Sequence, residues 1–307
     1  MRDDSPKDLR DPVKILVLGN CQVRTLANAL ELLVPSAEAQ PFHLSNDPQI
    51  LKSELASAFT NSWDLVLAHD SLMHIINAHD FLKELIPETT VVVPTITFTA
   101  FHPDIQYAFI GGEVVKNGLA NDWNSRILLW AYRNGLSKDV AQGLFGKETF
   151  RVLGYLTEWS SSTAALQQNF ALLGFDFSQW IRAVQRHGVF MHGINHPLPI
   201  AFHALTLQIV NKHLPNVSIR PGSSARYLTD HLAHIIWPVY PAVGDELGVD
   251  GSYVWRDAGR IVDLSEFIAL CYDTWSSIGL AKQDVRLIPA LTDVEEKNLR
   301  KLAGLEP

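Results

Sequence analysis

The sequence predicts a helix-rich α/β fold, with a small parallel sheet in the N-terminal part and a largely helical second lobe after it. Three observations carry that expectation. Lys14-Ile-Leu-Val-Leu18 is a short apolar strand that runs through Gly19-Asn20 into a helix. Strand-like and helix-like stretches then alternate as far as Pro94. From about Asp122 the apolar spacing is helical, with no clear strand alternation. Together these place an α/β lobe over residues 1–120 and a mainly helical lobe over residues 121–307. A chain of 307 residues, 47% of them hydrophobic, can bury a sizeable core.

Taken in order, residues 1–11 are charged, lack the apolar stretch of a secretory signal and read as a loose tail. After the opening strand, Val23, Leu26, Ala27, Leu30 and Leu33 recur at helical spacing. Residues 39–48 read as a strand and a loop, and residues 49–59 as a helix. A strand over 63–68, a helix over 72–85 and a strand over 89–94 follow. Such alternation makes a parallel sheet, and ligands bind beyond the carboxyl ends of its strands. Three of those ends are polar: Gly19 to Gln22, His69-Asp70-Ser71, and residues 95–104. Further helices are expected at 123–133, 137–144, 161–174, 180–186, 199–213, 264–276 and 293–302. Ser160 to Ser162 reads as the capping stretch of the third of these.

Charge and cysteine usage narrow the function. A net charge of −8 argues against a nucleic-acid binder or a basic membrane-surface protein. No apolar run approaches the roughly 20 residues of a membrane span. Cys21 and Cys271 are the only cysteines, far apart, which points to a reducing cytoplasm rather than a disulfide framework. Cys271 lies in an apolar helical stretch and is expected to be a buried structural thiol.

Cys21 sits where a strand turns into a helix. The unpaired N–H groups and positive dipole end there would lower a thiol pKa and hold an oxyanion or a phosphate. The amides of Asn20 and Gln22 flank it and are candidate oxyanion donors. Arg24, one turn on, is placed to meet a phosphate. Their ordinary alternatives are a turn former, a first-turn residue and a solvated arginine. The 12 histidines offer candidate bases. Pro103 holds His102 in extended backbone, with Asp104 near enough in sequence to orient a histidine. His192 and His196 bracket Gly193-Ile-Asn195 ahead of Pro197. A base acting on a thiol or a sugar hydroxyl needs a near-neutral pKa, which histidine supplies. His196 is the first choice and His102 the second. His192 and His196 also have a metal-ligand spacing, but Gly193 and Pro197 oppose a helix and no HExxH glutamate is present, so no metal is expected. GxGxxG, P-loop and GxSxG motifs are all missing.

Val17-Leu-Gly-Asn-Cys-Gln22, Phe101-His-Pro-Asp104 and Ile194-Asn-His-Pro197, supported by Leu247-Gly-Val-Asp-Gly-Ser-Tyr253, together carry a resemblance. The chain resembles the WcbI-type polysaccharide biosynthesis proteins, acetyltransferases of bacterial capsule synthesis, from Lys14 to the helix at 264–276. The resemblance implies coenzyme A or acetyl-coenzyme A as ligand and a sugar hydroxyl, that of a capsular 6-deoxyheptose, as acceptor. It also implies a pocket between two lobes and contact with capsule assembly proteins. The Gly-Asn-Cys-Gln turn is similar, too, to the Gly-Asp-Ser turn of the SGNH hydrolases, with Cys21 at the serine position. Gly193-Ile-Asn-His196 lacks the aspartate of their Asp-x-x-His block. Coenzyme A is polyanionic, so its site needs donors and cations. Gly19, Cys21, Gln22 and Arg24 at the turn, and His192 and Asn195, are candidates. The segment Arg220-Pro-Gly-Ser223-Ser224-Ala-Arg226 reads as an anion nest, with Lys116 and Ser160 to Ser162 as further donors. Two routes stay open: direct attack of the acceptor on the thioester, or an acetyl-Cys21 intermediate. A cysteine-dependent esterase or deacetylase, or a non-catalytic coenzyme-A-binding protein, are the alternative functions.

Overall fold

The structure, a computed structural model, describes residues 12–305. The chain divides into two units that are interleaved in sequence. One takes the residues up to Thr97, Ala165–Phe190 and Asn195–Ala233. The other takes Phe98–Ala164, Met191–Ile194 and the chain from His234.

The first unit is built on a four-stranded parallel sheet. Strand β1 (Val13–Gly19) leads into helix α1 (Val23–Leu33), strand β2 (Ala37–His43), helix α2 (Pro48–Ala58) and strand β3 (Leu65–His69). Helix α3 (Asp70–Asn77) and strand β4 (Val91–Val93) complete it. Ile15 to Leu18 have no exposed surface, as a central parallel strand covered on both faces requires. One face of the sheet is covered by α2 and α3, whose Leu51, Leu55, Leu72 and Ile76 pack with Leu16 and Leu18. The apolar stripe of α1 is buried, and α1 lies against the helix Pro199–His213.

Strand order is β2-β1-β3-β4, all parallel. The chain therefore leaves β1 toward one side for β2, then crosses to the other side for β3. That reversal opens a crevice at the carboxyl ends of β1 and β3, where ligands bind in such sheets. Gly19 ends β1 and His69 ends β3, so the fold puts the Gly-Asn-Cys-Gln turn at the switch point. The helix expected over 72–85 is broken: α3 stops at Asn77 and a single turn follows at Asp80–Lys83. Ile76 and Leu82 are both buried, and a six-residue spacing puts two side chains about 240° apart on one continuous helix. The break lets both reach the core.

The second unit is helical, with small antiparallel strands that helical spacing does not mark. Its helices include Arg126–Arg133, Lys138–Gly143, Lys147–Val152, Leu264–Ser277 and Asp293–Leu302. Strand Ile105–Ile110 pairs with Arg286–Ile288, Glu113–Val114 and Asn124–Ser125. Gly111 and Gly112, both at positive φ, close the first of its hairpins in the way a two-residue turn demands. A second hairpin, Val254–Asp257 with Arg260–Asp263, carries Trp255, whose ring stacks on Phe267 at 4.3 Å between centroids. Ser160 to Ser162 are not a cap: the helix begins at Glu158, and the Ser162 hydroxyl accepts the Thr99 N–H at 2.8 Å. Cys271 is fully buried, and its sulfur accepts the Gly118 N–H at 3.4 Å. Among the described residues, no helix is long and apolar enough to cross a membrane.

Candidate functional site

The site at the switch point starts from backbone geometry. Asn20 folds back on its own turn, its Oδ1 accepting the Gln22 N–H at 3.0 Å, and its carbonyl accepts the Val23 N–H at 3.1 Å. This Asx turn carries the chain from β1 into α1. It also corrects an expectation: the Gln22 N–H is engaged by Asn20 and is no spare oxyanion donor. The Gln22 side chain is likewise taken. Its Oε1 accepts the Ile96 N–H at 3.1 Å, and its Nε2 donates to the carbonyls of Ile96, at 2.8 Å, and Asn195, at 2.9 Å. Gln22, fully buried, is a clamp that ties three stretches of main chain together. Of the two side-chain amides, only the Asn20 Nδ2 makes no hydrogen bond among the described residues.

Cys21 is half-buried at the start of α1. Burial pushes its thiol up to about 11, and a main-chain hydrogen bond at the turn offsets only part of that. The lowering expected from the helix terminus does not win, because loss of solvation costs the thiolate more than the dipole returns. At pH 7 about one molecule in 10⁴ carries the thiolate, so Cys21 is a neutral thiol.

Sequence reasoning left one neighbour of this turn unassigned. His69 ends β3, is 1% exposed, and lies so close to Gly19 that a Cβ there would meet its Nδ1 at 2.3 Å and its Cγ at 2.7 Å. That contact is why residue 19 must be glycine. Burial drives the His69 imidazole down to about 4, against the pull of Asp70, so the ring is neutral at pH 7. Its Nδ1 has no hydrogen-bond partner among the described residues. Beside it, Asp70 accepts the Thr95 N–H at 2.6 Å, and Thr95 and Ser71 join hydroxyls at 2.8 Å. The signal was present, a histidine at a strand's carboxyl end, but only strand order shows which strand end adjoins Cys21.

His196 is buried at 8% exposure and follows Asn195, whose carbonyl the Gln22 clamp holds. The turn and the Asn195-His196 step are thus brought together within one unit. Arg24 is exposed and makes no ion pair among the described residues. The expected anion nest is different. Arg220 donates from Nε to the Leu32 carbonyl at 2.9 Å and from its N–H to the Leu33 carbonyl at 2.7 Å. It caps the carboxyl end of α1, roughly 16 Å along the helix from Cys21. Arg226 lies over the Tyr227 ring at 4.7 Å, and Ser224 caps the turn Ala225–Tyr227. Ser223 is half-buried there without a hydrogen bond of its own side chain among the described residues. Lys116 is paired with Asp122.

The remaining candidates belong to the second unit. His102 is wholly buried, with Nδ1 3.2 Å from the Pro238 carbonyl and Nε2 3.2 Å from the Met191 carbonyl. A neutral imidazole has one N–H, so one carbonyl accepts a hydrogen bond and the other faces a lone pair. Burial takes the ring down to about 4, only partly opposed by those carbonyls. Asp104 does not orient it. Its carboxylate accepts from Tyr155 at 2.9 Å, Tyr240 at 2.8 Å and the Ile127 N–H at 3.1 Å, fastening the start of the helix Arg126–Arg133. Burial raises the Asp104 pKa in spite of these donors. His192 is half-buried, and its carbonyl accepts the Trp237 N–H at 2.7 Å. Among the described residues, no group of three or more His, Cys, Asp and Glu is placed to hold a metal ion.

The switch point of the parallel sheet thus carries a strand–Asx turn–helix with a protonated thiol and the buried ring of His69 beside it. A family model described as a polysaccharide biosynthesis enzyme matches residues 14–213, which span all of the parallel sheet but its first residue, and both His-Pro steps. The chain belongs to that family, the WcbI family. No curated protein and no solved structure matches it.

Proposed function

We propose that this polysaccharide biosynthesis enzyme is an O-acyltransferase that moves acetyl from acetyl-coenzyme A to a sugar hydroxyl, with a capsular 6-deoxyheptose as the acceptor the resemblance implies. One observation carries the reading: the Gln22 clamp gathers the Cys21 turn and the Asn195-His196 step at the switch point of the sheet. His196 takes the proton of the acceptor hydroxyl. The oxygen attacks the thioester carbonyl, the C–S bond breaks, and the coenzyme A thiolate leaves and is protonated. The Asn20 Nδ2 stands ready for the oxyanion and Arg24 for a phosphate of the coenzyme. The protonated state of Cys21 favours this direct route over an acetyl-cysteine intermediate.

The test is coupled binding and turnover. Coenzyme A should raise the melting temperature where ATP does not, and free thiol should appear from acetyl-coenzyme A only when a heptose acceptor is added. Thiol release to water alone would instead mark a hydrolase. No shift at millimolar coenzyme A would remove the reading.

A further inference from the structure

The second unit holds a cavity of about 390 Å³ that none of the candidate residues lines. Its wall is made by Gln106, Arg126, Trp130 and Arg133 from the strand and helix around Asp104, and by Leu287 and Ala290 from the C-terminal segment. That size is in the range of small-molecule sites and suits one sugar ring. Three of these lining residues each carry a buried polar atom with no hydrogen-bond partner among the described residues: the Gln106 Oε1, the Trp130 Nε1 and the Arg126 Nε. Gln106 is 1% exposed, Trp130 6% and Arg126 8%. Buried polar groups are ordinarily satisfied, so three orphans around one cavity need an explanation.

Their chemistry defines an occupant. The Gln106 oxygen needs a donor, whereas the Trp130 and Arg126 N–H groups need acceptors, so the ligand must both give and take hydrogen bonds. Hydroxyl groups do this; a bare carboxylate or sulfate does not. Charge adds a second requirement. Arg126 is paired with Glu295 at 3.2 Å, and Glu296 with Arg300 at 3.4 Å. Arg133, exposed at the last turn of its helix, has no ion-pair partner among the described residues. One guanidinium is left over, enough for one negative charge. The indole of Trp130 and the apolar Leu287 and Ala290 offer faces for a sugar ring.

We infer that this cavity is a binding site for a carboxylate-bearing sugar, a uronate unit of the glycan, with its carboxylate on Arg133 and its hydroxyls on Gln106, Trp130 and Arg126. The three buried atoms are closed to bulk water, so binding includes a small side-chain adjustment that turns them toward the ring. The inference rests on the chain's place among polysaccharide biosynthesis enzymes and not on the acyl-transfer reading.

Glucuronate titrated into the whole protein, followed by calorimetry, tests it. Glucuronate should bind, glucose and inorganic phosphate at least tenfold more weakly, and Arg133→Ala should cost about tenfold or more. Ala290→Trp, at an exposed position on the rim, should abolish binding while the melting temperature without ligand stays unchanged. Equal binding of glucose or phosphate, or glucuronate binding indifferent to Arg133→Ala and Ala290→Trp, overturns the inference. Coenzyme A binding measured on the same variants should not change, which separates failure of this site from failure of the acyl-transfer reading.

Discussion

Two His-Pro steps, His102-Pro103 and His196-Pro197, look alike in the chain and end differently. Around His102, both ring nitrogens face main-chain carbonyls, and the neighbouring Asp104 fastens two tyrosines and a helix start. Around His196, the preceding carbonyl is held by Gln22, one residue from the Cys21 thiol. The dipeptide confers extended backbone in both places. What the fold adds differs: main-chain oxygens against the His102 ring, and the Gln22 clamp on the residue before His196.

The sharpest way to break that comparison is to remove each ring. His196→Ala should lower acetyl transfer by about 10² to 10⁴-fold with the melting temperature nearly unchanged, since a general base contributes in that range. His102→Asn should do the reverse, lowering stability while the rate per folded molecule holds. A rate loss confined to the His102 variant would exchange the two roles.

Next in size are the two polar anchors. Asp104→Ala strands two buried tyrosine hydroxyls and the Ile127 N–H, and should cost about 3 kcal/mol or more in denaturant unfolding. Gln22→Ala strands the Ile96 N–H and two carbonyls, and should cost about 2–4 kcal/mol, with transfer activity falling as well because Asn195 is released. Loss of stability without loss of activity in the Gln22 variant would detach His196 from the proposed centre.

Acid provides a third measurement. The folded-state values of His69 and His102, about 4, lie below the ordinary 6.5. The unfolded chain therefore binds more protons between those limits. The stability these two rings contribute is complete above pH 6.5 and is lost as pH falls toward 4. The melting temperature should drop by ~5 °C or more across that window, and His102→Asn should flatten the drop. A flat profile in the unmodified protein would contradict the burial of both rings.

The smallest effect concerns the thiol. Cys21→Ala should reduce transfer by less than about tenfold, because the proposed direct route does not use the thiol as its nucleophile. Iodoacetamide should modify Cys21 slowly at pH 7 and faster toward pH 10, ahead of Cys271, whose burial pushes its thiol to about 12. An acetylated Cys21 trapped from acetyl-coenzyme A would restore the covalent route.

The sequence by itself determined the strand–turn–helix unit, because its signals are local. An unbroken apolar run makes β1, the Asn20 side chain closes the turn, and the spacing of Val23 to Leu33 makes α1. Helices such as Pro199–His213 and Asp293–Leu302 were legible for the same reason. Short strands such as Asn124–Ser125 were not, since two residues carry no period. Only the tertiary structure decided what the candidates do. Strand order placed His69 beside Gly19, a contact between residues 50 apart. Long-range hydrogen bonds turned Gln22 into a clamp and fastened Arg220 to the far end of α1. Burial set the ionisation of Cys21, His69 and His102, and solvation is a property of the packed neighbourhood that no stretch of sequence states.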